Sequence, residues 1–265
     1  IDPHLSMKRQ LTPFALAALM LATAATAYAA EEAYWTTGAG VDFSSGKYGT
    51  TSTTESLSIP VFAQYSSSAW KLSLTVPYLQ VTGDGSVTVS GRQANKRTST
   101  TPTKHKTVSG LGDIVAAASR NLASAKDSTL GVDLTGRIKF GTASTTMGSG
   151  LNDYAVQASV YTYIGKFSPG FQVGYEVLGD TADQPLNNVA YGAVNGDYQI
   201  NDKSSAGVEY RYGQRATDTG FEQREVIIYA NYQFTPDRTF NAYLMKGFSD
   251  GSPDSGLGLS LSAVF

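Results

Sequence analysis

Apolar and polar residues alternate along most of the chain, and the alternation is clearest at its C-terminal end. Between residues 256 and 265 the apolar positions are Leu257, Leu259, Leu261, Ala263 and Phe265, and the residues between them are mostly small or polar. A period of two residues is typical of a β-strand. A strand that is apolar on one face and polar on the other fits a barrel wall between lipid and an aqueous lumen. The final aromatic residue fits the aromatic girdle that such barrels place at the membrane surface.

A segment near residue 135 shows the same division with charged residues. One face carries Leu130, Val132, Leu134, Ile138 and Phe140, and the opposite face carries Asp133, Thr135, Arg137 and Lys139. A sheet packed on both faces in a soluble protein would bury those charges at a high cost. The pattern therefore predicts lipid on one side of the strand and a lumen on the other.

The alternation predicts an all-β protein, a 12-stranded antiparallel transmembrane β-barrel with short periplasmic turns and longer extracellular loops. An even strand number places both ends of the barrel in the periplasm. The predicted strands cover residues 35–47, 53–67, 69–82, 110–122, 128–141, 151–164, 166–178, 188–200, 204–216, 222–234, 238–249 and 256–265.

Turn residues support this orientation. Gly165–Lys166, Asn201–Lys203 and Thr235–Asp237 are tight connections, and they fall on alternate connections along the chain, which places all three at the same, periplasmic end of the predicted barrel. In the strand at 188–200, Asn195, Gly196 and Asp197 interrupt the alternation and predict a β-bulge.

The N-terminal region predicts export. Lys8 and Arg9 follow Met7, an apolar run leads to Ala22, and Ala27–Ala29 forms a cleavage site, so residues 7–29 are interpreted as a signal peptide. Residues 1–6 precede that methionine and are interpreted as a non-native tag, which leaves residues 30–265 as a single outer-membrane barrel domain.

The longest predicted connection runs from Gly83 to Ser109. It is rich in Ser and Thr and contains basic residues: Arg92, Lys96, Arg97, Lys104, His105 and Lys106. One interpretation is a solvated extracellular loop. The other is a loop that attracts lipopolysaccharide phosphates or folds into the pore.

Composition excludes several function classes. The chain has no cysteine, a formal net charge of −2 and two histidines, His4 and His105. Neither histidine lies on a predicted inward strand position, so a nucleophile–histidine enzyme is not expected. No cofactor is expected, and a loose carboxylate Ca²⁺ site in the loops is the only metal site that the composition allows. The balanced charge gives no nucleic-acid footprint.

Charged residues at inward positions are the main candidate functional groups. The predicted pore-lining set is Asp113, Asp133, Arg137, Lys139, Asp153, Glu176, Glu209, Arg211 and Glu225, and the same phase places Asp42, Lys71 and Arg215 inward. The inward set contains seven acids and five bases, which predicts a pore that discriminates only weakly between cations and anions. These groups either link facing strands through ion pairs or form a constriction that sorts solutes. Strand register predicts Asp113 opposite Arg137 and Arg211 opposite Glu225.

Tyrosines fall on both predicted faces. The outward set is Tyr78, Tyr175, Tyr210, Tyr212 and Tyr232, which is typical of an aromatic girdle. The inward set is Tyr161, Tyr163, Tyr229 and Tyr243, and these rings either stack on an aromatic solute or fill the barrel.

Four short motifs resemble one known family. They are VPY at 76–78, SGLGDI at 109–114, GSGLNDY at 148–154 and GYEVLGD at 174–180. Together they are similar to the outer-membrane channels named for the meta-pathway of phenol degradation. The resemblance implies a twelve-stranded channel for small molecules, hydrophobic ones included. A related type of barrel secretes amyloid subunits behind a long helical plug, but only residues 30–34 separate the predicted cleavage site from the first strand, so a simple pore is expected.

These observations predict a monomeric channel in the bacterial outer membrane for passive uptake of small molecules, with hydrophobic or aromatic compounds as candidates. The alternative is a non-conducting structural or adhesive barrel. The expected partners are the lipid bilayer, lipopolysaccharide, small solutes and, through the C-terminal strand, the barrel-assembly machinery.

Overall fold

The computed structural model describes residues 33–84, 87–90, 93–96, 105–125, 129–145, 147–180 and 185–265. The predicted tag and signal peptide, together with Arg92, Arg97 and Lys104, lie outside the described residues. No helix in these described ranges is long and apolar enough to cross a membrane. The strands are β1 Tyr34–Gly46, β2 Thr54–Ser66, β3 Trp70–Gly83, β4 Val87–Ser90, β5 Gln93–Lys96, β6 Lys106–Leu111, β7 Ile114–Ala123, β8 Gly131–Phe140, β9 Asp153–Tyr161, β10 Phe167–Val177, β11 Val189–Asn201, β12 Ser204–Gly213, β13 Gln223–Thr235, β14 Arg238–Gly247 and β15 Ser255–Val264.

The strands form one closed antiparallel barrel and a small separate hairpin. Successive barrel strands pair with each other, except that β6 and β7 both pair with β3, and β1 closes the ring by pairing with β15. Because β6 and β7 share one place beside β3, the wall has twelve positions, as the alternation predicted. The hairpin consists of β4 and β5, which lie within the long connection after β3.

Pro77 explains why the fourth wall position is split. Pro60 in β2 and Pro77 in β3 lie directly opposite each other. Since proline has no N–H to donate, the ladder beside Pro77 cannot run unbroken. The neighbouring strand breaks at Gly112, whose N–H donates to the Pro77 carbonyl at 2.8 Å. One strand was predicted at 110–122, and the structure instead has β6, which begins earlier at Lys106, and β7.

Side-chain exposure alternates along the strands and divides the wall into two faces. Large apolar side chains form an exposed outer band, which includes Leu72, Leu134, Ile228, Leu244 and Leu259. The five tyrosines predicted to face outward are all exposed, between 43% and 50%. The intervening residues are more buried and face the barrel interior. This confirms the predicted phase of the strands.

The two ends of the barrel differ in the length of their connections. We call them the short-turn end, with connections 67–69, 124–130, 162–166, 202–203 and 236–237, and the long-loop end, with connections 47–53, 84–105, 141–152, 178–188, 214–222 and 248–254. Tyr34 and Phe265 both lie at the short-turn end, where their strands begin and end. The three predicted tight turns are found there. Assignment of this end to the periplasm remains a prediction.

The bulge predicted at Asn195–Asp197 is not where the structure has an irregularity. β11 keeps a continuous register with β10 and β12 through these residues, so Asn195 and Asp197 face inward and Gly196 faces outward. The register shifts instead between Gln199 and Asn201, next to the turn to β12. Small polar residues obscured the alternation without breaking it.

Deleting Phe265 should lower the amount of assembled barrel. The Phe265 N–H donates to the Trp35 carbonyl at 2.8 Å, and the Trp35 N–H donates to the Phe265 carbonyl at 3.1 Å, so this residue contributes the last two bonds of the closing ladder. The measurement is the fraction of outer-membrane protein whose gel mobility changes on boiling. Phe265→Ala, which keeps the backbone bonds, separates the role of the ladder from that of the ring. Parental assembly of the deletion variant would contradict this prediction.

Candidate functional site

The nine residues predicted to line the pore lie on the inner face of the barrel. Asp133, Glu209 and Arg211 are partly exposed, whereas the other six are buried: Asp113, Arg137, Lys139, Asp153, Glu176 and Glu225. The structure gathers eight of them into three groups, and Asp133 lies apart from these groups, hydrogen-bonded to Asn121.

The first group is a buried ion-paired triad of Asp113, Lys139 and Asp153. The Lys139 ammonium lies 3.0 Å from an Asp113 carboxylate oxygen and 2.5 Å from an Asp153 carboxylate oxygen. Lys139 in β8 and Asp153 in β9 are directly opposite each other in the ladder. Asp113 reaches the ammonium from the break between β6 and β7. Two carboxylates against one ammonium leave the triad with one net negative charge.

Each carboxylate of the triad also holds a loop at the long-loop end. The Ala143 N–H donates to Asp113 at 2.9 Å, which attaches loop 141–152. The Gly179 N–H donates to Asp153 at 2.8 Å, which attaches loop 178–188. Lys139 therefore joins two carboxylates that fix the starts of two different loops against the inner wall.

The register prediction that placed Asp113 opposite Arg137 is wrong. Arg137 pairs with Ala117, four positions further along β7. The prediction centred the β7–β8 turn near residue 125, but the connection runs from 124 to 130, and the ladder shifts between Asn121 and Ala123. Asp113 contacts Lys139 instead. The other register prediction, Arg211 opposite Glu225, is confirmed.

The second group contains Arg137 and Glu176. Both are directly opposite Ala155 of β9, Arg137 from β8 and Glu176 from β10. Ala155, which is small and only 2% exposed, therefore lies between two charged residues of the inner face. Arg137 also donates to the Tyr191 hydroxyl at 3.2 Å, and this hydroxyl donates to Gln157 at 3.3 Å. The result is a polar layer across β8 to β11.

The third group lies on the other side of the barrel. Arg211 forms an ion pair with Glu209 on its own strand and is directly opposite Glu225 on β13. Glu225 is buried, whereas Glu209 and Arg211 are partly exposed. The basic residue thus lies beside two carboxylates, an arrangement similar in charge to the triad.

Two apolar clusters cover the inner wall at the long-loop end. The larger cluster contains Tyr48, Leu79, Val81, Ala143 and Met147, and the smaller contains Leu178, Val189 and Ala216. Loops 47–53 and 141–152 contribute to the larger cluster, and loop 178–188 contributes to the smaller one. These loops therefore fold inward over the barrel opening.

Tyr48 occupies a strained backbone position in the larger cluster. It has a φ of 52° and precedes Gly49 at 69°, and the Thr50 N–H donates to the Lys47 carbonyl at 2.9 Å. This is a type I′ turn, in which a non-glycine residue costs about 1–2 kcal/mol. Burial raises the pKa of the Tyr48 hydroxyl above its usual range, so the ring stays neutral. Burial of the Tyr48 ring in the apolar cluster offsets this backbone strain.

The inward tyrosines lie against glycines of neighbouring strands. Tyr229 is directly opposite Gly207, and Tyr243 is directly opposite Gly258. A Cβ at either glycine would overlap the ring, so only glycine permits this close approach. Tyr161 with Gly131 and Tyr191 with Gly174 repeat the arrangement. The rings therefore lie close against the wall.

Two of these tyrosines donate to carboxylates on the inner face. The Tyr229 hydroxyl lies 2.6 Å from Asp197, which also accepts from the Asn195 side chain at 3.0 Å. The Tyr243 hydroxyl lies 2.6 Å from Asp42. Sequence reasoning placed Asp42 inward but missed Asp197, because the predicted bulge removed it from the alternation. Continuing the inward–outward alternation through Asn195–Asp197 would have placed Asp197 on the inner face.

Three other inward predictions have mixed outcomes. Lys71 lies at an inner position near the short-turn end of β3 and is exposed. Arg215 lies beyond the end of β12, in the connection to β13, and is exposed, so its predicted place on an inner strand position is wrong. Tyr163 follows β9 and is 53% exposed.

Comparison with solved structures supports the fold. The COG4313 outer membrane channel from Pseudomonas putida F1 is 15% identical, with a TM-score of 0.64, and the match covers 89% of this chain and 97% of that one. The KdgM porin is 11% identical with a TM-score of 0.52, covering 87% and 99% of the two chains. The CymD monoaromatic hydrocarbon channel is 10% identical with a TM-score of 0.47, covering 87% and 88%. At these identities the first two matches show the barrel architecture alone.

Comparison with sequence families gives a match along most of the barrel. No curated protein matches the chain. Residues 72–265, well over half of the sequence, match the family described as "Putative MetA-pathway of phenol degradation". This range extends from β3 to the C-terminal residue and includes the four motifs that suggested the resemblance. The chain belongs to this family of outer-membrane β-barrel proteins.

Proposed function

We propose that this protein is a passive channel for small molecules in the bacterial outer membrane, with hydrophobic or aromatic compounds among its solutes. The observation that carries this proposal is the division of the wall into an exposed apolar outer band and an inner face with hydrogen-bonded polar groups from one end to the other. The outer band suits lipid and the inner face suits a wetted passage. The fold of the Pseudomonas putida channel and the family's description in terms of phenol degradation both support it.

The charged groups described above are proposed to line this passage. Asp133, Glu209 and Arg211 are the partly exposed members of the set and offer direct contact with a solute. The buried members act from behind the lumen surface: Asp113, Arg137, Lys139, Asp153, Glu176 and Glu225. Their role in the channel is to hold the wall and loops in shape while they contribute to the field inside the pore.

A plugged, non-conducting barrel is the second candidate, and one observation favours it. The inner wall at the long-loop end is tightly packed, with Met147 and Tyr48 each 4% exposed and Glu176 fully buried. Inward-folded loops of this kind either narrow a pore or close it. Conductance distinguishes the two candidates.

The membrane context leads to three further proposals. The exposed outer band requires a lipid bilayer, and lipopolysaccharide is the proposed neighbour at the long-loop end. Insertion is proposed to proceed through the barrel-assembly machinery, with β15 as the recognised strand, and the protein is proposed to act as a monomer. We propose no catalytic activity, because the sequence has only two histidines and the described one, His105, is exposed at the start of β6.

Purified protein should conduct ions across a planar bilayer and admit small neutral solutes into liposomes. A wetted, polar inner wall allows both, and a diffusion pore needs no tight binding site. The measurements are single-channel current at both voltage polarities and liposome swelling with graded sugars, amino acids and aromatic acids. A bilayer that stays sealed at both polarities would support the plugged barrel instead.

Lys139→Met should release the two loops and raise conductance. The change leaves Asp113 and Asp153 buried without their cation, and an uncompensated buried charge costs about 3–5 kcal/mol. We expect faster chymotrypsin cleavage within loops 141–152 and 178–188, together with a larger single-channel current.

Two variants control this experiment. Lys246→Met removes an exposed lysine of β14 and should leave both readouts unchanged. A triple variant with Asp113→Asn, Lys139→Met and Asp153→Asn removes all three charges and should protect the loops better than Lys139→Met alone. Parental cleavage and current in Lys139→Met would show that the triad does not hold the loops.

A further inference from the structure

A single row of inner residues crosses six neighbouring strands of the barrel. Following the ladder from β11 through β15 to β1, directly opposed residues are Asp197, Gly207, Tyr229, Tyr243, Gly258 and Asp42. The row reads the same in both directions. Each tyrosine lies across the glycine beside it and donates to the aspartate beyond that glycine.

The row runs along the length of the lumen as well as around it. Asp42 lies four residues before Gly46, at the long-loop end of β1. Asp197 lies four residues before Asn201, at the short-turn end of β11. Because barrel strands tilt against the axis, a row perpendicular to the strands climbs along the wall. The two carboxylates therefore lie towards opposite mouths.

The partners of these two carboxylates are neutral. Asp42 accepts from a tyrosine hydroxyl, and Asp197 accepts from a tyrosine hydroxyl and an asparagine amide. Within the described part of the chain, neither forms an ion pair, in contrast to the triad and the Arg211 group. Hydroxyl and amide donors stabilise a carboxylate without cancelling its charge. No cation therefore cancels the negative charges of Asp42 and Asp197, and these charges act on the lumen.

A third carboxylate shares this property at the short-turn end. Asp133 accepts from the Asn121 amide at 2.7 Å, and no basic side chain among the described residues forms an ion pair with it. Asp133 lies two residues after the start of β8 and Asp197 lies four residues before the end of β11, so both lie towards the short-turn end of the barrel. A low-dielectric wall concentrates such a field inside the pore.

We propose that Asp42 and Asp197, held by the glycine-backed tyrosines, give the pore a preference for cations. This inference rests on the proposed channel function. It replaces the weak charge preference expected from the sequence, because Arg215 is absent from the inner wall, Asp197 is present on it, and two of the four remaining bases of the predicted inner set, Lys139 and Arg211, are engaged in ion pairs. The tyrosine hydroxyls donate to these carboxylates without neutralising them.

The test is the reversal potential of the full-length protein in a tenfold KCl gradient at pH 7. The parent should select K⁺ over Cl⁻, and the Asp42→Asn/Asp197→Asn variant should lower the permeability ratio by about twofold or more. An asparagine oxygen still accepts from the tyrosine hydroxyl, so the fold is retained, which the gel shift on boiling checks. Each single variant provides a second measurement and should show a smaller reduction.

Two controls separate charge from structure. Asp237→Asn removes an exposed acid from the β13–β14 turn and should leave the ratio unchanged. Tyr229→Phe/Tyr243→Phe removes the hydroxyl donors but keeps both carboxylates, so cation preference should persist.

The outcomes distinguish this proposal from the proposed function. A parent that carries no current overturns the channel itself, and this inference with it. A conducting parent without cation preference, or a double aspartate variant with the parental ratio, overturns the role of Asp42 and Asp197 alone.

Discussion

Closure of the hydrogen-bond ladder is the constraint on which the rest of this structure depends. Lipid offers no hydrogen-bond partners, so a β-sheet can span a membrane only if no strand edge is left open. Here β1 pairs with β15 along almost its full length, and the backbone of Phe265 adds the final bonds to Trp35. Once the ring is closed, each inner side chain has a fixed position, and the polar groups can form specific networks.

Small residues decide which of those networks form. Ala155 lies between Arg137 and Glu176, which come from strands that do not pair with each other, and Gly207 and Gly258 let tyrosine rings reach carboxylates two strands away. At Gly207 and Gly258, the missing side chain on the middle strand permits a contact between residues of the two flanking strands. Small residues at these positions are as important to the structure of the inner wall as the charged groups themselves.

Charge has two uses in the same lumen. At the long-loop end, Lys139 neutralises part of the charge on Asp113 and Asp153, and the carboxylates use their remaining oxygens to fix loop backbones. Along the tyrosine row, neutral donors hold Asp42 and Asp197 and leave their charge intact. The first arrangement stabilises the shape of the mouth, and the second provides the field that acts on solutes.

The sequence alone determined the strand number, the two faces of the wall and the tight turns, because a period of two residues is a local property that needs no knowledge of neighbouring strands. It also identified Arg211 opposite Glu225, where the connecting segment is centred as expected. The sequence did not predict those features that depend on an adjacent strand. The break at Gly112 follows from Pro77 across the ladder, and the long β7–β8 connection at 124–130 places Ala117, and not Asp113, opposite Arg137. Only the tertiary structure could align Asp197, two tyrosines and Asp42 in one row, because that alignment is the sum of five separate registers, and a shift of one residue in any of them would turn a side chain to the lipid face.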